Sequence, residues 1–363
     1  MERAAMLDRP LLLEATANQI NQFGGYMGMT PAEFREMAYG ACERSGLPME
    51  LLILGGDHLG PLTWSGEEEA EAMPKAEGLI RAFASAGFSK IHIDTSMYLA
   101  DDDQKAPLPV DVVARRAVTL CKAAEEAALK PPVYVIGSEV PPPGGATENE
   151  DSVAVTTVDS LRETLDRFKE VFIGQGLEGA WERVIAVVVQ PGVEFSDSNV
   201  ILYDRARAAD LTRYVRGMDS IVLEGHSTDY QPAEKLKEMK EDGVAILKVG
   251  PALTFALREG LFELEDIERE NCPSEPEGGY SLFAESLDAA MLENPGYWIR
   301  HYHGSEDEIA QKRKYSLSDR CRYYLTDARV ALAIQRLRDN LSRERVDSYA
   351  KAKVCEVLDT YDR

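Results

Sequence analysis

Short apolar runs alternate along the chain with longer segments of helical periodicity, and each run ends abruptly in charged or amide side chains. Six runs follow this plan: LLLEATAN (11–18), LLILGGDHLGP (51–61), IHIDTS (91–96), VYVIGSEV (133–140), VIAVVVQPG (184–192) and SIVLEGHSTDY (220–230). A seventh, VAILKVGP (244–251), ends the same way. Continuous Val, Ile and Leu runs of this length predict strands buried on both faces. Between them, TPAEFREMAYGACERS (30–45), AMPKAEGLIRAFASAG (72–87), VDVVARRAVTLCKAAEEAAL (110–129), VDSLRETLDRFKEVFIGQG (158–176), DRARAADLTRYVRGM (204–218) and PAEKLKEMKEDG (232–243) predict helices. The first opens with Thr30 as cap, Pro31 at the first helical position and Glu33 to close a capping box.

Strand, loop, helix and strand in this rhythm mark βαβ units and a parallel sheet. Seven units are countable, one fewer than a closed barrel uses. The expected fold is therefore α/β, a TIM (β/α)8-type barrel lacking its first strand, over residues 1–262. Beyond residue 262 the pattern becomes acidic and polar, then tyrosine-rich and helical, as in SLSDRCRYYLTDARVALAIQRLRDNL. Residues 263–363 are expected to form a helical C-terminal extension packed on the barrel or on a partner.

The active site of a parallel barrel is assembled at the C-terminal ends of its strands, which is where this chain gathers its acids and imidazoles. Asp57 and His58 follow one strand, and Glu224 and His226 follow another. Residues two apart on a strand share a face, so Glu224 and His226 can point together. Imidazoles and carboxylates suit zinc or manganese, and His58, His226 and Glu139 are the candidate ligands of a divalent metal. Asp57, Asp94, Glu14 and Glu224 are candidate general acids or bases. So many carboxylates at one mouth call for a cation or a shared proton. Gln190 can donate to a substrate oxygen without titrating. Lys248 can neutralise the acids or contact a phosphate, and Gly250 allows close backbone approach before a helix whose amides face an anion. The loop ANQINQFGGYMGMTP, with Asn18 and Gln22, is a candidate substrate cover. His92 reads as barrel filling, and His301 and His303 read as a surface loop.

A net charge of −23 over 363 residues, from 40 basic and 63 acidic side chains, argues against nucleic acid and anionic membrane surfaces as partners. The chain has no apolar run of about 18 residues and no signal-peptide core, so neither a membrane span nor secretion is expected. Five scattered cysteines without paired spacing suit a reduced, cytoplasmic protein.

The strings EATANQINQFGGYMGMTPAEFRE, LGGDHLGP, AGFSKIHIDTSM, YVIGSEVPPPGG, VVVQPGVEFSDSNV, HSTDYQ, AILKVGPALTFALRE and KYSLSDRCRYY closely resemble the non-catalytic (Z) subunit family of class II tagatose-bisphosphate aldolase, from about residue 4 to about residue 345. The resemblance implies a barrel related to class II aldolases that supports a separate catalytic aldolase subunit in galactitol or amino-sugar breakdown, with assembly into an oligomer. Other relatives resemble stand-alone ketohexose or ketohexose-phosphate 4-epimerases. Older labels of tagatose 6-phosphate kinase find no Walker-type loop here. Asp57 and His58 match an Asp–His pair of the catalytic aldolases. The two further metal histidines of those enzymes align near Gln190 and at Glu224, so an ordinary aldolase zinc site is not expected. An epimerase would cleave C3–C4 after Asp57 or Glu224 takes the O4 proton, and would reform the bond on the rotated aldehyde.

Overall fold

A computed structural model gives the chain as one curled parallel sheet wrapped by helices. It describes residues 1–138, 140, 153–272 and 274–362. The seven predicted strands all form: β1 (Leu11–Thr16), β2 (Leu52–Leu59), β3 (Lys90–Ile93), β4 (Val133–Ile136), β5 (Val184–Val189), β6 (Val222–Gly225) and β7 (Val244–Leu247). Each pairs in parallel with the next in sequence. The result is a TIM-like barrel one strand short, open between β1 and β7. A two-stranded antiparallel ribbon, Glu194–Phe195 with Val200–Ile201, follows β5.

The helices between strands start and stop where the residues direct. Pro31–Ser45 opens on the capping box of Thr30 and Glu33 and stops at Gly46, whose φ of 72° suits a residue without a Cβ. Val158–Gly174 is capped by Thr157, and Arg205–Arg216 by Asp204. The helices Glu69–Ser85 and Val110–Ala127 bury Leu79, Ile80, Phe83, Val113, Ala117 and Leu120 against the outer face of the sheet. That layer is the main apolar core.

Inside the barrel the lining is divided. Around β4 and β5 it is apolar, with Val135, Ala186 and Val188 in a small cluster. Around β1, β2, β3, β6 and β7 it is charged.

The C-terminal helices Phe283–Glu293, Glu306–Tyr315, Ala328–Leu341 and Arg343–Asp362 build a second core with Leu261 and Leu264. The boundary expected at residue 262 falls inside the helix Pro251–Asn271, which contributes to that second core. The helix Arg343–Asp362 returns to the barrel, where the Tyr361 hydroxyl donates to the Thr228 carbonyl at 2.9 Å. No helix among the described residues is long and apolar enough to cross a membrane.

Candidate active site at the barrel mouth

Strand alternation alone cannot put Asp57 and His58 on the same side, because neighbours on a strand face opposite ways. The chain solves this with a bulge. The β2–β3 register shifts between Gly56 and Leu59, and His58 takes a left-handed φ of 48°. Both side chains then line one cleft of about 400 Å³ with Glu14, His226, Asp229 and Lys248. Gly60, next along, lets the chain pass the Asp94 carbonyl, which a Cβ would meet at 1.7 Å.

A layer of ion pairs lies beneath the mouth. Lys90, 2% exposed, places Nζ 2.7 Å from Glu14 Oε1 and 2.7 Å from Glu224 Oε2. Gly55 stands between Glu14 and Lys90 in register, and a Cβ there would lie 2.4 Å from Glu14 Oε1. Its missing side chain is what lets the pair form across β2. Lys248 contacts Glu14, closing the β1–β7 gap with an ion pair instead of strand hydrogen bonds. Its Nζ is also 3.0 Å from Asp57 Oδ1.

The imidazoles sit on this layer. His92 Nδ1 is 2.9 Å from Asp57 Oδ1, His226 Nε2 is 3.0 Å from Glu224 Oε1, and His58 Nδ1 is 2.7 Å from Asp94 Oδ2. Ring centroids of His58 lie 5.2 Å from His92 and 4.8 Å from His226.

Burial disfavours every charge here, so the partners decide the outcome. For Asp57, burial is outweighed by Lys248 and the neighbouring imidazoles, and its carboxyl stays well below the usual range. For Glu224, burial is outweighed by Lys248 and Lys90 with the same result. Asp94 is likewise low, burial yielding to the bond from His58. His58 is raised, because Asp57 and Asp94 overcome its burial. His226 goes the other way: burial pushes it down to about 4. Burial also pushes Asp229 up to about 6.

The residues present fit a divalent cation. Asp57, His92, Glu224 and His226 each offer a ligand atom, all within 4.8 Å of one another. His92 Nε2 is buried without a hydrogen-bond partner, while Nδ1 lies 3.2 Å from the donating His58 amide and beside Asp57. This group shares His226 with the set expected from sequence. His58 stands beside it, held by Asp94, and Glu139 lies outside the described residues. His92, expected only to fill the barrel, is fully buried and also belongs to the group.

Glu14, Asp57, Asp94, Glu224 and Lys248 thus come together as the sequence suggested. Asn18 and Gly250 line the cleft. Gln190 does not join them: its Oε1 accepts from the amides of Gly192 at 2.9 Å and Val193 at 3.0 Å, closing the turn after β5. Gln22 points to the helix Glu69–Ser85, where its Nε2 donates to the Lys75 carbonyl at 2.9 Å. Sequence reasoning missed Lys90, Arg322 and Tyr323. Lys90 had a signal, since Lys90, His92 and Asp94 fall at the spacing of one strand face. Arg322 and Tyr323 reach the cleft from the C-terminal region, within the string KYSLSDRCRYY, whose only signal was the family resemblance.

Residues 1–350 match the family described as D-tagatose-1,6-bisphosphate aldolase subunit GatZ/KbaZ-like. A solved structure described as a probable tagatose 6 phosphate kinase, from Sinorhizobium meliloti 1021, is 41% identical and superposes with a TM-score of 0.87, covering 99% of this chain and 95% of that one. The fructuronate-tagaturonate epimerase UxaE from Cohnella laeviribosi shares the fold at 13% identity, with a TM-score of 0.51 over 99% of this chain and 78% of that one.

Proposed function

Because the chain belongs to the D-tagatose-1,6-bisphosphate aldolase subunit GatZ/KbaZ-like family, we propose that its own barrel mouth makes and breaks a carbon–carbon bond of a ketohexose, acting as a 4-epimerase. One observation carries the reading. His58, bonded to Asp94, lines the same cleft as Asp57 and His226 of a buried Asp, His, Glu and His group suited to a divalent metal. Burying that many charges is costly unless each is paired, and here His58, its Nδ1 held by Asp94, lines the cleft with Nε2 3.8 Å from Asp57 Oδ2.

Asp57, His92, Glu224 and His226 would hold the metal, with zinc or manganese fitting the donor set. When bound, it supplies Lewis-acid polarisation of the ketose C2 carbonyl and its neighbouring hydroxyl. We assign the proton transfer at O4 to His58. Asp57 and Glu224, the bases expected from sequence, are held ionised by Lys248 and Lys90 and are correspondingly weak bases. Asp94 fixes Nδ1 of His58 and so orients Nε2. As Nε2 takes the O4 proton, O4 becomes a carbonyl oxygen and C3–C4 breaks. The bond pair moves into C2–C3 and leaves charge on O2, giving an enediolate and an aldehyde. Rotation of the aldehyde, re-addition of C3 to its other face and return of the proton invert C4. No co-reactant is consumed.

The test is incubation of the purified protein alone, loaded with zinc or manganese, with D-fructose or fructose 6-phosphate, and separation of the products. The tagatose counterpart is the expected product. Its absence from folded, metal-bound protein favours a second reading, an accessory subunit for a catalytic tagatose-bisphosphate aldolase. The family's description as an aldolase subunit supports that reading. So does Gln190, which closes a turn at the strand end where the resemblance puts a metal histidine in catalytic aldolases. An accessory subunit would co-purify with the catalytic subunit and raise its activity.

A further inference from the structure

Two lysines serve the acids of the mouth, and they meet different oxygens of Glu224. Lys90 lies 2.7 Å from Oε2, the oxygen that His226 does not bond. Lys248 takes the other side, its Nζ 4.0 Å from Glu224 Oε1 and 3.0 Å from Asp57 Oδ1. Those are the two oxygens that His226 Nε2 and His92 Nδ1 approach at 3.0 Å and 2.9 Å. Lysine and imidazoles therefore converge on one pair of carboxylate oxygens.

A divalent cation drawn in by those donors would stand beside an ammonium, and like charges in a poorly solvated cleft repel strongly. Burial opposes the charge on Lys248, but Asp57, Glu14 and Glu224 outweigh it and hold the group protonated, above the ordinary lysine range. The fold also gives Nζ somewhere to go. Lys248 follows β7 at the open side of the barrel, and its ammonium already contacts Glu14 of β1. Its backbone is fixed, the amide donating to the Gly225 carbonyl at 3.0 Å and the carbonyl accepting from the Thr228 hydroxyl at 2.6 Å. Its side chain lines the cleft and is 15% exposed, so the flexible stem can swing while the chain stays in place. Lys90, 2% exposed, lacks that room.

We propose that Lys248 is an internal counter-ion that competes with the divalent cation for Asp57 and Glu224 and yields to it by withdrawing onto Glu14. The inference rests on the reading of Asp57, His92, Glu224 and His226 as metal ligands. It adds that this lysine sets how tightly the mouth holds its metal, and keeps the buried acids paired whenever the metal leaves.

The test is calorimetric titration of chelator-treated protein with zinc or manganese, whichever the wild type binds more tightly, for wild type, Lys248→Met and Glu14→Gln. Circular dichroism reports folding. Lys248→Met should lower the Kd at least about tenfold, because the competing charge is gone. Glu14→Gln should raise it about threefold or more, because Lys248 then leans on Asp57 and Glu224 alone. A lysine that only supported the fold would weaken binding when removed. Folded Lys248→Met with unchanged or weaker binding overturns the inference, and leaves the metal reading standing where the wild type binds. Unchanged or tighter binding by Glu14→Gln also overturns it, and that variant decides alone should Lys248→Met not fold. A wild type that binds neither metal defeats the metal reading and the inference together.

Discussion

Asp94 Oδ2 lies 2.7 Å from His58 Nδ1, joining the bulge at the end of β2 to the end of β3. The other Asp94 oxygen accepts from the Ser96 amide at 3.1 Å and the Ser96 hydroxyl at 2.7 Å, so the carboxylate is fixed from both sides. Asp94→Asn keeps the shape and removes the charge that sets the tautomer of His58. On the proposed mechanism kcat falls by about 10²–10⁴ while the variant stays folded by circular dichroism. An unchanged kcat would remove His58 from the proton transfer.

Metal content separates ligands from neighbours. His92→Ala and His226→Ala should each lower the divalent metal retained after dialysis, measured by elemental analysis. His58→Ala should retain metal and lose turnover, because Asp94 already holds Nδ1. Loss of metal from His58→Ala with retention in His92→Ala would reverse this assignment.

Lys90 neutralises two acids from inside the barrel. Lys90→Met leaves Glu14 and Glu224 facing each other with only Lys248 between them. Removing one partner of a buried ion pair typically costs ~3–5 kcal/mol. Urea unfolding should show a loss of that order, and Lys90→Met combined with Glu224→Gln should recover part of it. A loss within about 0.5 kcal/mol would mean that solvent reaches the pair freely.

Asp229 gives stability a pH dependence of known sign. Its carboxyl is raised from an ordinary 3.8 to about 6, so the folded state holds the proton more tightly than the unfolded chain. Stability from this group is therefore greatest below pH 4 and falls as pH rises toward 6, by up to about 3 kcal/mol. Asp229→Asn does not titrate. The variant's stability relative to wild type should climb between pH 4 and pH 6 and level off above pH 7, as read from urea midpoints. A pH-independent difference would show that Asp229 is not desolvated in solution.

The barrel was legible because its strands are continuous apolar runs and its helices carry their own caps, as Thr30 and Glu33 do. That Glu14, Asp57, Glu224 and Lys248 would meet was legible because each is a lone charge at the end of an apolar strand of one parallel sheet. The remainder depended on geometry that no local pattern encodes. Asp57 and His58 share a cleft only through the left-handed turn at His58. His92 looked like filling because a buried barrel histidine is both filling and ligand until its partners are placed. Gln190 and Gln22 carry the right chemistry but spend it on nearby backbone groups, a competition that sequence does not disclose. Arg322 and Tyr323 arrive by tertiary packing of the C-terminal helices.

The measurement that tests the central claim most directly uses D-fructose deuterated at C4, incubated with the metal-loaded protein and no second subunit, and followed by NMR. Epimerisation through C3–C4 cleavage never breaks the C4–H bond, so D-tagatose should appear with its C4 deuterium fully retained. Loss of the deuterium, or no tagatose from folded, metal-bound protein, would contradict the account.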